Sequence, residues 1–475
     1  MSFRNPRSYA YIACAVTISL VVLGVSAPAH ARGRGRRARA AVATCQGRPA
    51  TIVDGPGSHS IDGTSEDDVI VARGGDDTIQ SGGGDDLICA GPGNDRASGG
   101  VGHDVLIGED GNDVLRGNRG HDGGADGGEG DDKLYGERGG RNDLYPGAGD
   151  DLVVGSGTGE DWVHMEDALG PVHANLTTGV TTGQGTDEFA DVSGVFSGIY
   201  DDTLIGSDGN NQLAGRAGND TLIGRGGVDF LSGQQGDDIY RGGASFDIAE
   251  YFDQAAADGL DIGPMNVNLR TGIATGDGTD TLSGIEAATG SDKSDTMIGD
   301  DEGNSFFWLF GGDDTVKAGG GDDFVAPGVG ANNVSGGPGR DFLSFQGGKD
   351  FEHEHPALTA DLGTGTSSFG DTISGFEDVL GSPYDDALIG DAGTNRLYGF
   401  YGDDVLVGKA GNDLLVGGGG RPDTANGGDG TDRCRADVTR NCEVVSRVDR
   451  GPRVVPSLPI DLTRSHASRN PRSLT

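Results

Sequence analysis

Bulky apolar side chains are scarce in this chain of 475 residues: aromatics make up 6% and all hydrophobic types 34%, with 2 Trp and 4 Met. That is too little for the two or three ordinary cores such a length would need, which argues against a large conventional α/β enzyme. Basic residues are also few, 35 against 75 acids, and a net charge of −40 repels phosphates, so no nucleic-acid partner is expected. Proline, at 17, is too rare for collagen, and Gly follows no three-residue period. Glutamate is the most telling shortage, with 14 Glu against 61 Asp. A merely solvating acidic tract has no reason to prefer the shorter carboxylate, whereas tight turns and oxygen-rich cation loops do.

What the chain has in excess is Gly, 91 residues or about 19% against a usual ~7%. Two readings remain: an acidic disordered chain, or a repeat whose backbone needs Gly and whose loops need Asp.

The N-terminus carries Arg4 and Arg7, then an apolar stretch over 12–25, then Ala29-His30-Ala31. This is the pattern of a secretory signal (1–31), cleaved after Ala31. Its apolar stretch falls short of the roughly 20 residues that span a bilayer, so no transmembrane segment is expected in the mature chain, which is placed outside the cell. A basic arm follows at 32–53, with Arg32, Arg34, Arg36, Arg37 and Arg39, and the tail at 436–475 is again basic and reads as disordered. After cleavage four Cys remain, Cys45, Cys89, Cys434 and Cys442, an even number that suggests disulfides with three possible connectivities. The simplest, Cys45–Cys89 with Cys434–Cys442, staples each end locally. No Cys-x-x-Cys supports a zinc or redox role.

Between these ends the chain has a nine-residue period. From Asp54 to Ala125 eight nonapeptides follow one another on the pattern G-G-x-G-x-D-x-U-x, U being a large aliphatic. The sixth positions are His59, Asp68, Asp77, Asp86, Asp95, Asp104, Asp113 and Asp122; the eighth run from Ile61, Ile70, Ile79 and Ile88 to Ala97, Leu106, Leu115 and Gly124. An apolar residue every ninth place, two after an Asp, marks an inward position of a solenoid. The period resumes with Asp202, Asn211, Asp220, Asp229, Asp238 and Asp247, then with Asp314, Asp323, Asn332 and Asp341, then with Asp386, Asn395, Asp404 and Asp413. The arrays are placed at 54–163, 197–250, 290–344 and 381–435.

Segments such as Gly75-Asp76-Asp77-Thr78-Ile79 and Gly411-Asn412-Asp413-Leu414-Leu415 resemble the hemolysin-type calcium-binding (RTX) nonapeptide repeat. The resemblance implies an all-β fold, a parallel β-roll or β-helix with two nonapeptides per coil and Ca²⁺ between stacked GGxGxD loops. Residues 18 apart then lie on one edge about 4.8 Å apart, Asp68 beside Asp86, Asp86 beside Asp104 and Asp77 beside Asp95. Stacked carboxylates repel, and one aliphatic per nine residues at about 2 kcal/mol does not offset ~1–2 kcal/mol per ordered residue. A hard dication with oxygen ligands answers both. The implied ligands are the sixth-position Asp residues, about ten or more ions in all. Asn211, Asn332 and Asn395 should weaken their sites, and His59 and Ser305 mark lost ones.

Three related inserts separate the arrays, at 164–196, 251–289 and 345–380. Asn175-Leu176-Thr177-Thr178-Gly179 recurs as Asn268-Leu269-Arg270-Thr271-Gly272 and Asp361-Leu362-Gly363-Thr364-Gly365, and Thr186-Asp187 recurs as Thr279-Asp280. They read as longer strand rungs continuing the solenoid. No H-E-x-x-H or G-x-S-x-G is present, so no enzyme is expected; Glu352-His353-Glu354-His355 reads as a solvated loop, and Phe306-Phe307-Trp308-Leu309-Phe310 as filling for a widened rung. The functional expectation is a secreted calcium-binding β-roll with a structural or cell-surface role, cell wall or extracellular polysaccharide being the candidate partner. The alternatives are an enzyme acting on extracellular polysaccharide, or a calcium-dependent adhesin, on the same solenoid.

Overall fold

The structure, a computed structural model, describes residues 43–119, 124–136, 140–157, 160–251, 263–346, 357–420 and 422–445. The leader, half of the basic arm, Asp122, the 352–355 cluster and most of the basic tail lie outside the described residues. Among the described residues there is no helix, and so none long and apolar enough to cross a membrane.

Each nonapeptide spends about six Gly-rich residues on a turn and three on a strand, such as Thr78–Gln80 or Leu87–Cys89. Successive strands fall alternately into two sheets, and each pairs in parallel with the strand one coil later. Ile61 lies beside Ile79 and Ile79 beside Ala97 in one sheet; Ile70 beside Ile88 and Ile88 beside Leu106 in the other. The second sheet runs unbroken through twenty strands, from Ile52–Val53 to Val444–Val445. All four arrays therefore form one rod. Its interior is a single file of aliphatics per sheet, Ile79, Leu115, Leu134 and Val153 among them, each wholly buried.

The inserts reverse direction within the first sheet, and each ends in one strand of the second, Gly194–Phe196, Ala287–Ala288 or Asp378–Leu380. His173–Asn175, Val180–Thr182 and Thr186–Ala190 form an antiparallel meander, as do Asn266–Asn268, Ile273–Thr275 and Thr279–Ser283. The last strand of each meander pairs in parallel with the preceding array and the first strand with the following one. They extend the sheet as hairpins rather than as simple longer rungs. The recurrent Asn-Leu-x-Thr-Gly is the turn that makes this possible: Asn175 Oδ1 accepts the Thr177 and Thr178 N–H groups, and Gly179 takes φ +68°, where a Cβ is unwelcome.

Several coils carry one residue more than the period allows. Leu115 pairs with Leu134, and Leu106 with Ala125, nineteen residues on. The inward residue is thus Ala125 and not Gly124, and it lies three residues after Asp122 instead of two. A similar slip brings Asn304, not Ser305, to the sixth position, since Ser305 is already in a strand. The aromatic run is buried at Phe306, Phe307 and Leu309. Disulfides join Cys45 to Cys89 and Cys434 to Cys442, with Cα atoms 5.7 and 5.9 Å apart.

Candidate metal centre

The sixth-position residues form a ladder along each edge of the rod. The backbone N–H of each donates to the carboxylate Oδ1 of its counterpart one coil later. On one edge Asp77 donates to Asp95 at 2.6 Å, Asp95 to Asp113 at 2.7 Å, and the series continues through Asp132 and Asp151. On the other, Asp68 donates to Asp86 at 2.8 Å and Asp86 to Asp104 at 3.0 Å. The later arrays repeat this from Asp202 to Asp220 to Asp238, from Asp229 to Asp247, from Asp323 to Asp341, from Asp386 to Asp404, and from Asn395 to Asp413. Asp314 instead donates to Asn332.

The second carboxylate oxygen is left over. Oδ2 of Asp77, Asp86, Asp95, Asp104, Asp113, Asp202, Asp220, Asp229, Asp238, Asp247, Asp314, Asp323, Asp341, Asp404 and Asp413 is buried without a well-directed hydrogen bond. A buried carboxylate oxygen with no donor is costly, and a row of them is costlier. Where the first position is Gly, its missing side chain makes the room: a Cβ on Gly108, Gly224 or Gly408 would strike the carboxylate of Asp113, Asp229 or Asp413.

What keeps donors away is the residue at the second position, four before the Asp. It is left-handed ahead of nearly all of these Asp residues, as at Gly100 with φ +102° ahead of Asp104. Arg73, Glu109, Arg216, Arg225, Gln234, Phe310, Phe400 and Lys409 adopt this conformation too, although they carry a Cβ. Each costs on the order of 1–2 kcal/mol, the kind of strain that marks functional loops. Where the second residue is not left-handed, its N–H turns onto the carboxylate. Thr64 N–H and Oγ1 both donate to Asp68 Oδ2, at 2.8 and 2.9 Å. Ser382 N–H donates to Asp386 Oδ2 at 2.6 Å and its hydroxyl to Oδ1 at 2.9 Å. Asp68 and Asp386, equal to the others in sequence register, are therefore capped by the protein itself. Asp202 stands between the two kinds, because Gly198 ahead of it is not left-handed.

Charge follows geometry. Burial, with neighbouring carboxylates adding to it, pushes Asp95 and Asp220 up to about 7, and Asp238, Asp314 and Asp404 to about 8. Burial also raises Asp68, but hydrogen bonds from Thr51 and Thr64 outweigh it and leave the group below its ordinary value. Asp386, more deeply buried, stays above its ordinary value despite Ser382.

The ladders include carboxylates outside the nonapeptide register. Asp132 and Asp151 follow expanded coils. Asp187 and Asp280 come from the inserts, accepting from Asp151 and Asp238 at 3.1 and 3.0 Å. Their Oδ2 atoms are also without hydrogen bonds. The recurrence of Thr186-Asp187 as Thr279-Asp280 was the available signal. Glu286 and Glu377 end two of the runs, a longer side chain reaching the place of the next Asp.

Stacked, inward-turned carboxylates whose second oxygens lack donors suit a hard, oxygen-seeking dication. The fold and these loops together define a parallel β-solenoid of the cation-binding β-roll class. The family model for the RTX calcium-binding nonapeptide repeat matches residues 62–97, 90–123, 125–153, 196–231, 215–249, 289–325, 328–352 and 380–415, together just over half of the chain. The chain belongs to this family and is a calcium-binding β-roll protein. No curated protein matches it.

Proposed function

We propose that this β-roll is exported, and that Ca²⁺ held between its stacked loops drives its folding outside the cell into a structural or surface-interacting rod. The observation that carries the reading is the row of buried Oδ2 atoms without donors, of which Asp95, Asp104, Asp238 and Asp404 are examples. Those carboxylates, together with Asp132, Asp151, Asp187 and Asp280, are the proposed ligands, for about ten or more ions. Bound calcium supplies the positive charge that the ladders lack. The residues do the rest: Asp carboxylates converge, Gly at many first positions leaves them space, and second-position left-handed residues keep N–H groups from taking the cation's place. Export is supported by the leader pattern at 1–31 and by two disulfides, which persist in oxidising compartments.

Twenty coils at about 4.8 Å give a rod of the order of 90 Å, long enough to present a repeating face to cell wall or extracellular polysaccharide. Calcium titration of the chelated full chain, by calorimetry with circular dichroism in parallel, tests the reading. Strand signal should rise with calcium occupancy and vanish in chelator; strand signal indifferent to chelator would sink it. A pull-down on cell-wall fractions with and without calcium tests the surface role.

A further inference from the structure

The first loop of the solenoid is rewritten at two positions at once. In Asp54-Gly55-Pro56-Gly57-Ser58-His59 the first-position Gly has become Asp and the sixth-position Asp has become His. In the loops that keep Gly there, a side chain at the first position would collide with the Asp carboxylate, as at Gly108 and Asp113, and no other ladder loop puts a carboxylate at that place. Here the carboxylate has moved to the first position and an imidazole stands at the sixth. The ladder bond itself is kept, His59 N–H donating to Asp77 Oδ1 at 2.7 Å.

We propose that Asp54, His59 and Asp77 form a binding site for a borderline divalent transition cation of the Zn²⁺ type, sharing Asp77 with the calcium ladder that begins at its base. Their ligand atoms lie within 4.8 Å of one another, the one such group among the described residues. His59 Nδ1 is 2.7 Å from Asp54 Oδ2 and 3.9 Å from Asp77 Oδ1. Ligand atoms around a four-coordinate Zn²⁺ stand about 3.3 Å apart, so both spacings are within a small adjustment of a shared ion. His59 and Asp54 stand at ion-pair distance, yet no directed hydrogen bond joins them, and Asp54 Oδ2 is buried without a hydrogen-bond donor, so the oxygen is free to share a cation with the imidazole. Asp77 adds a second observation. Its side chain is wholly buried beside His59, and its Oδ2 too has no hydrogen-bond partner. The donor set selects the metal. Imidazole nitrogen suits Zn²⁺, Ni²⁺ or Cu²⁺, whereas Ca²⁺ takes oxygen almost alone. His59 is 43% exposed at its side chain, leaving an open side for entry and for water ligands.

The test is zinc calorimetry on the calcium-saturated full chain, with the sequence-adjacent His353 and His355 both replaced by Ala so that they contribute nothing. Circular dichroism in calcium and in chelator, taken before zinc is added, reports separately on the calcium reading. One Zn²⁺ per chain is expected, resisting millimolar calcium, and Co²⁺ in its place should give the visible absorption of a mixed nitrogen–oxygen site. His59→Gln should abolish the step and Asp54→Asn should weaken it, each leaving calcium-dependent strand signal intact. No zinc step in calcium, displacement of zinc by calcium, or a step undiminished in both variants would overturn the proposal. If one variant loses the strand signal, the other decides.

Discussion

Asp104 and Asp386 hold the same place in the repeat, each two residues before a wholly buried Leu, yet their carboxylates have opposite fates. Asp104 follows left-handed Gly100, gives Oδ1 to the Asp86 N–H and keeps Oδ2 without a donor. Asp386 follows Ser382, whose N–H and hydroxyl take both of its oxygens. The first loop spends backbone strain or Gly to stay open for a cation; the second closes itself with hydrogen bonds. Capped loops of the Ser382 kind recur where runs restart, at Thr64 ahead of Asp68, Ser207 ahead of Asn211 and Ser291 ahead of Asp295. The lesson is that the sixth-position Asp makes the ladder, while the second-position residue decides whether the ladder needs metal.

Removing calcium should affect the open loops first and most. With every open-loop Oδ2 uncompensated, chelation is expected to cost the strand signal of the whole rod, because each coil is supported chiefly by its neighbours. Small-angle scattering should show expansion of the chelated chain under its own charge. A rod that keeps its dimensions in chelator would mean that open and capped loops do not differ.

Protons should partly replace the missing cations, most of all in open loops. Asp238, Asp314 and Asp404 lie near 8 and Asp95 near 7, above the 3.8 of an ordinary Asp. The folded calcium-free chain therefore binds more protons than the unfolded one from about pH 4 to 8, and its stability falls as pH rises through that window. Chelated protein should show more strand at pH 4.5 than at pH 8. Asp68, shifted the other way, contributes stability above 3.8 that is lost on acidification. Strand content of the chelated chain that rises with pH would reverse the comparison.

A single open loop gives a smaller effect. Asp104→Asn keeps an acceptor for the Asp86 N–H but removes the charge. The expected outcome is a lower calcium stoichiometry and a higher calcium midpoint for folding, with the fully loaded fold unchanged. Calorimetry reads both, and an unaltered ion count would remove Asp104 from the ligands.

Much of this was legible in the sequence. The period located Ile61 through Leu115 as core and the Asp ladder with it, because one inward residue per nine leaves a strong signal. The inserted residues near Ala125 and Asn304 were not, since a one-residue expansion inside a Gly-rich turn changes no residue type. Asp187 and Asp280 reach the ladder from 36 and 42 residues away, and only the meander topology brings them there. The capped loops could have been read, since Thr64, Ser291 and Ser382 put a short hydroxyl side chain where the open loops carry Gly or a longer side chain. What could not be read is that Arg225 and Phe400, with Cβ atoms, are nonetheless left-handed. The stack on either side forces that conformation, and no local propensity announces it.

The smallest effect tests the comparison most sharply. Ser382→Ala deletes the hydroxyl donor to Asp386 Oδ1 but leaves the backbone N–H on Oδ2 and the Leu358 N–H on Oδ1. One hydrogen bond to a charged group is worth about 1.5–3 kcal/mol at most, and two donors remain, so a loss near the lower end, seen as a small shift in the calcium-loaded melting temperature, is expected. The calcium count should not change, since the loop stays capped by its N–H. Ser382→Gly goes further, because Gly can adopt the left-handed conformation that Gly100 uses. If the second position is what decides, this variant should gain affinity for calcium at Asp386, where Ser382→Ala does not. Equal calcium counts in the two variants would show that capping depends on the surrounding coils rather than on this one residue.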